Sequence, residues 1–229
     1  MIWLEQALSI SANQGTWDFA KNILEPQIAA ENSGRETISK VLEHIKNICF
    51  EPPENAKSLL IDALRLCNTN TVPTSILCWG MTIAVYPFIG SVASSLGRLF
   101  KLQGSVSRND IQRRMCEKYG DRDYVNRITL YTISSFLDWG VVNSEGRSGF
   151  YFAGRKDCIH SPLLISWLFE AVMISQGREQ MAVSEILSHP VIFPIVMDNF
   201  NSQFILSNQR LSIVRENLNE DYVSITNIK

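Results

Sequence analysis

The sequence has none of the short patterns by which common chemistries are recognised. It contains no GxGxxG, GxxxxGK[ST], HExxH or GxSxG, so dinucleotide binding, P-loop nucleotide chemistry, zincin proteolysis and nucleophile-elbow hydrolysis have no signature here. Histidine is scarce, with three in the chain, and the five cysteines (Cys49, Cys67, Cys78, Cys116, Cys158) are odd in number, widely spaced and never arranged as CxxC. That pattern excludes a disulfide framework and points to a reduced, cytoplasmic setting, as does a first segment without the basic-then-apolar order of a secretory signal. Cys158 and His160 stand together as "CIH", but His44 and His189 are the other histidines and no second ligand pair completes a zinc site. No metal and no cofactor are expected. Asp121 and Asp123 are a further carboxylate pair; their place at a helix start assigns them to capping rather than to a metal. Ser, Cys and His form no recognisable nucleophilic arrangement, so the chain is expected to be no enzyme, with no catalytic residues.

A long uninterrupted apolar run is also missing. No charge occurs between Arg65 and Arg98, yet Asn68, Asn70, Pro73, Pro87 and repeated Ser and Thr interrupt that stretch, where a membrane span wants about twenty predominantly apolar residues. Two buried helices split near Pro87 are expected instead, and no membrane partner. A global charge excess is lacking too: the net charge is -2 and the isoelectric point about 6.0. What is present is a chain of 229 residues, 45% hydrophobic and 19% charged, enough to build a core in one large domain or two small ones.

Charge is distributed unevenly. From Arg98 to Lys156 there are eleven Lys and Arg against six Asp and Glu, a net of +5, which leaves ten against seventeen, a net of -7, elsewhere. The chain is a basic module in an acidic body.

Periodicity assigns the elements. "TWDFAKNILEPQIAAEN", "GRETISKVLEHIKNICF" and "ENAKSLLIDALRLC" place apolar residues at three- and four-residue spacing, with "NSGRE" and "EPPEN" as breaks. Ile38, Val41, Leu42, Ile45 and Ile48 form one core stripe. In the basic module, Gly104 ends a helix, Ser107 caps the next with Asp110 three residues on, Ile111 and Met115 mark its buried side, and Gly120 stops it. Asp121 or Asp123 starts another helix, held by Val125, Ile128, Ile133, Phe136 and Leu137 and ended by Gly140. The period then changes: Val141 and Val142, the polar "NSEGRSG" and "FYF" describe a hairpin.

The expected fold class is therefore mainly α, a helical protein with a central winged helix-turn-helix module and a short β-hairpin wing. The expected divisions are an N-terminal helical unit at 1–97, the winged module at 98–156 and a C-terminal helical unit at 157–229 packing on the others. In that last part "SPLLISWLFEAVMISQ", "VSEILSHPVIFPIVMDNF" and "NSQFILSNQRLSIVREN" read as helices, and the closing "YVSITN" as a strand. The helix entering the hairpin would lie in the major groove. Arg122, Asn126, Arg127 and Thr129 lie off its apolar stripe and are expected to face phosphates or base edges, with Arg147 at the wing tip. Arg108, Arg113, Arg114 and Lys118, on the preceding helix, complete the expected nucleic-acid-binding set; the bland alternative for these four is a solvated face that balances the acidic body.

The stretch "WGMTIAVYPFIGSVASSLGRLF", followed by "SVSRNDIQRRM" and "ITLYTISSFLDWGVV", resembles the small helical winged-helix accessory proteins of bacterial phage-exclusion (BREX) islands. The likeness covers about the middle third of the chain and rests on an aromatic-Pro-Phe helix start, a basic helix and a Ser-Ser-Phe-Leu segment ending in a short apolar turn. It implies a compact, mostly helical protein associated with DNA in antiviral defence, with no catalytic residues of its own. The expected function is thus a non-catalytic accessory protein that binds double-stranded DNA. The alternatives are a protein-interaction scaffold subunit of a defence or regulatory complex and a winged-helix transcriptional regulator. Expected partners are double-stranded DNA and other proteins of a defence complex, with a homodimer admitted.

Overall fold

The computed structural model describes residues 1–31, 34–69, 71–146, 149–217 and 220–226. The chain divides into two compact units, Met1–Val85 and Tyr86–Lys229. The fold is mainly helical, with three small sheets among the described residues.

Among the described residues the first unit holds five α-helices, α1 (Ile2–Ala12), α2 (Trp17–Glu31), α3 (Arg35–Cys49), α4 (Lys57–Asn68) and α5 (Thr74–Val85), with a 3₁₀ turn at Glu54–Ala56 before α4. The apolar stripe read from the sequence holds α3 in place: Leu42, Ile45 and Ile48 are buried, while Ile38 and Val41 are half-buried at its margin. α5 is apolar on every side and is buried from Ile76 to Val85, as expected of a central helix; within the unit it packs against α1, α3 and α4. It stops at Val85 because Pro87 follows and the residue before a proline is pushed out of the helical region. Among the described residues no single helix is long and apolar enough to cross a membrane.

The second unit opens with α6 (Pro87–Gln103), whose proline occupies a first-turn position where its missing N–H costs nothing. The boundary expected between residues 97 and 98 would cut this helix. After α6 come β1 (Ser105–Ser107), α7 (Arg108–Tyr119), α8 (Asp123–Asp138), β2 (Val142–Ser144) and β3 (Phe150–Ala153). These strands make one antiparallel sheet in the order β1-β3-β2, with Val106 opposite Tyr151 and Asn143 opposite Phe152. The hairpin anticipated at the end of α8 is therefore present, and a third strand that the sequence reading lacked lies along it.

The segment after residue 156 departs from expectation. β4 (Asp157–Ile159) precedes α9 (Pro162–Gln176), the long helix expected there, capped by the Ser161 hydroxyl and closed by Gly177 at φ 63°. Beyond it lie β5 (Gln180–Ala182), the short α10 (Val183–Leu187), a 3₁₀ turn at Pro190–Ile192, β6 (Ile195–Met197), a second 3₁₀ stretch at Ser202–Ser207, β7 (Leu211–Asn217) and β8 (Glu220–Ile225). Of the helices read over "VSEILSHPVIFPIVMDNF" and "NSQFILSNQRLSIVREN", the first is helical only at Val183–Leu187 and the second only as the 3₁₀ stretch at Ser202–Ser207, and the rest is corrected to turns and strands. β4 and β6 pair in parallel, and β5, β8 and β7 form an antiparallel sheet. α9, buried on all sides from Leu164 to Met173, is the core of this unit. One ion cluster ties it to the chain's end: the Glu170 carboxylate, on a 3% exposed side chain, accepts from Arg210 Nε and Nη2 at 2.8 Å each and from Asn208 Nδ2 at 2.6 Å.

Candidate nucleic-acid interface

Basic residues gather on α7 and at the start and middle of α8. α7 begins where the sequence placed it. Ser107 is extended at φ -75°, ψ 151°, and its hydroxyl accepts the Asp110 N–H at 3.1 Å while donating to the Asp110 carboxylate at 2.6 Å. Such a cap stabilises a helix start by about 1 kcal/mol. The Arg108 N–H donates to Gly149 O at 2.8 Å, so the start of α7 is fastened to the start of β3. Ile111 and Met115 are fully buried, which turns Arg108 and Arg113 outward, both exposed.

The four basic residues of α7 differ in what they touch. Arg113 pairs with Asp110 at 3.2 Å within its own helix, both side chains largely exposed; a pair of this kind contributes about 0.3 to 0.5 kcal/mol and leaves the charge accessible. Arg114 is half-buried, and its Nε is sealed from solvent without a hydrogen-bond partner among the described residues. Lys118 donates to Ser91 Oγ at 2.8 Å, and its ammonium stands 5.4 Å from the Tyr119 ring centroid. Tyr119 in turn shares a 2.7 Å hydrogen bond with Ser91 and packs on Phe88 at 5.0 Å between ring centroids. This cluster fastens the last turn of α7 to the first turn of α6. Arg108 has no ion-pair partner among the described residues.

Gly120, at φ 93°, makes the turn into α8. The cap residue is Arg122, with no side-chain cap bond, and Asp123 sits in the first turn; the expected capping by Asp121 or Asp123 gives way to an acidic residue stabilising the helix start by its charge. The helix is held by Val125, Thr129, Thr132, Ile133 and Phe136, a stripe at four- and three-residue steps. Ile128 and Leu137, expected on that stripe, are half-buried at its edges.

Two expected contacts are altered by this rotation. Thr129 is completely buried, its hydroxyl donating to Val125 O at 2.7 Å, and so presents nothing to a ligand. The cause is local: a hydroxyl that returns its hydrogen bond to the preceding turn leaves only its methyl face to pack. Asn126 is half-buried and its Oδ1 accepts from Cys116 Sγ at 3.4 Å, linking α8 to α7. Desolvation, with the Asp121 carboxylate adding to it, pushes the Cys116 thiol up from its ordinary range. Arg122 and Arg127 are exposed, and among the described residues neither is in an ion pair. Arg147 lies outside the described residues.

The sequence reading missed the large side chains beside Arg127. Tyr124 and Tyr131 are 62% and 66% exposed. They stand three residues before and four after Arg127, opposite the buried stripe, a spacing that was legible once the stripe was drawn through Thr129. Elsewhere, Arg155 pairs with Asp157 at 3.2 Å below the hairpin, and Cys158 and His160 are both exposed. Among the described residues, no three His, Cys, Asp or Glu side chains gather where they could hold a metal ion. Comparison of the chain with protein-family models, with curated proteins and with solved structures found no match.

Proposed function

We propose that residues 87–153 form a winged helix-turn-helix and that the protein is a non-catalytic binder of double-stranded DNA. The observation that carries this is the element order α6-β1-α7-α8-β2-β3 closed by a sheet in the order β1-β3-β2, which leaves α8 with one face on the module and the other in solvent. A helix so displayed next to a hairpin has the geometry that enters a major groove. Arg108, Arg122 and Arg127 supply positive charge outside any ion pair among the described residues, Arg113 and Lys118 partly engaged charge, and the surrounding segment carries a net of +5. Phosphate contacts from such residues position a protein on the duplex without themselves reading sequence.

The test is direct binding. A fluorescently labelled duplex titrated with the full chain at low ionic strength, roughly 50 mM salt, should show saturable binding at micromolar protein; no binding under those conditions overturns the proposal. A place in phage defence rests on the resemblance of the middle third of the chain to BREX accessory proteins, and a transcriptional regulator would use the same surface. The scaffold alternative draws on a different observation, an open groove in the first unit lined by Trp17, Ile38 and Leu42 among Lys21, Glu43 and Lys46. Under that alternative the duplex titration is silent.

A further inference from the structure

The outward face of α8 is poor in the side chains that read base edges by hydrogen bonds. Thr129 is buried and Asn126 is occupied by Cys116. What remains outward along the middle of the helix is Tyr124, Arg127, Tyr131 and Ser134. Two aromatic rings of about 150 to 250 Å² each are thus left in water on either side of an arginine. Both tyrosines are mostly in solvent, each more than 60% exposed, while Val125, Ile133 and Phe136 on the opposite face are at 5% or less. By contrast Tyr119, on α7, is tied down through its hydroxyl and its ring.

The pair is far enough apart to reach different base pairs of one groove. Tyr124 and Tyr131 are two helical turns apart, a rise of about 10.5 Å, or about three base-pair steps at 3.4 Å each. The major groove offers one apolar group to such rings, the 5-methyl of thymine; every other base-pair feature there is a donor or an acceptor. The central charge favours the same occupant, because Arg127 between the rings suits a backbone phosphate.

Resting on the DNA-binding reading above, we propose that Tyr124 and Tyr131 make the protein prefer thymine-rich steps by packing their rings on thymine methyl groups, with Arg127 anchoring the helix between them. The contact is made by the ring and not by the hydroxyl.

The experiment compares a short alternating dA-dT duplex with its dA-dU counterpart, in which every thymine methyl is missing and every hydrogen-bonding group is kept. Three full-length proteins are titrated at one salt concentration: wild type, Tyr124→Ala with Tyr131→Ala, and Tyr124→Phe with Tyr131→Phe. Burial of one methyl corresponds to about a fourfold change in affinity, so wild type should bind the dA-dU duplex about fourfold to fifteenfold more weakly than the dA-dT duplex. The phenylalanine pair should keep that ratio. The alanine pair should bind both duplexes alike, with circular dichroism of the folded protein. Salt-dependent wild-type binding to both duplexes with equal affinity overturns the tyrosine assignment and leaves the DNA-binding reading standing. An alanine pair that keeps the ratio overturns it as well, since the methyl preference then arises elsewhere. Binding to neither duplex overturns both.

Discussion

At Gly97, in the middle of α6, the helix passes close to the turn at Pro190–Ile192. A Cβ built there would lie 2.1 Å from the Pro190 carbonyl oxygen, 3.0 Å from its carbon and 2.9 Å from Phe193 Cβ. Two effects of opposite sign decide what Gly97→Ala does. Alanine in a helix interior is favoured over glycine by about 1 kcal/mol. Against this, the obstruction is backbone, so the turn or the helix must shift, and forcing extra atoms into a packed site costs about 1 to 3 kcal/mol. The turn cannot move freely: His189 Nδ1 accepts the Val191 N–H at 3.2 Å, and Phe193 packs on Phe100 at 5.5 Å between ring centroids. The upper part of that range applies, and the expected net loss is about 1 to 2 kcal/mol, or a melting temperature lower by roughly 2 to 8 °C. Thermal melting by circular dichroism reads the magnitude, and hydrogen exchange reads its place, with faster exchange expected in α6 and in residues 190–197. A variant as stable as wild type, or more stable by the helix-propensity gain, would refute the close approach.

Three further outcomes follow from the same kind of bookkeeping. Glu170→Ala removes the buried carboxylate that the Arg210 guanidinium and the Asn208 amide share and should cost up to about 3 to 5 kcal/mol in urea unfolding, whereas Glu170→Gln should recover part of that by still accepting. His189 is held below its ordinary pKa of 6.5 by burial, with Arg98 and Arg178 acting in the same sense and Glu185 opposing. The unfolded chain therefore binds the proton more readily, so this contribution to stability is complete above pH 7 and is lost as pH falls through 6.5 toward the folded value. Unfolding measured at pH 7.5 and 5.5 should show a smaller acid loss for His189→Asn than for wild type. Thr129→Arg, which would add to the basic face if residue 129 looked outward, should instead unfold the module, since its side chain would enter the space filled beside Val125 and Ile133; a folded Thr129→Arg would contradict the stripe.

The basic module was legible because its signals are local. Ser107, Asp110, Gly120 and Gly140 fix ends through hydrogen bonds and backbone freedom that extend only a few residues, and Ile111, Met115, Val125 and Phe136 fix faces by spacing. Thr129 misled because a threonine's chemical label is polar, while its back-bonded hydroxyl makes it behave as a small apolar residue. In the C-terminal part, α9 and the closing strand were legible, but the segment between them was not, for the opposite reason. The strands Asp157–Ile159 and Ile195–Met197 are three residues each and exist by pairing with one another across some forty positions, and no periodicity in "VIFPIVM" encodes that partner. β1 is equally short, defined by Phe150–Phe152 lying opposite it. At the candidate interface, charge and helix order were readable, but the outward tyrosines emerged only when the true stripe fixed the rotation of α8.

The central claim is that α8 and its neighbours meet the phosphates of duplex DNA, and the salt dependence of binding tests it most directly. Each phosphate neutralised contributes about 0.9 to the slope of log affinity against log salt. Wild type should therefore show a steep slope, and Arg122→Ala with Arg127→Ala, both exposed and outside any ion pair among the described residues, should fold normally and lower that slope by about 1 to 2. A double variant that binds with wild-type affinity and an unchanged slope would contradict the placement of α8 on DNA.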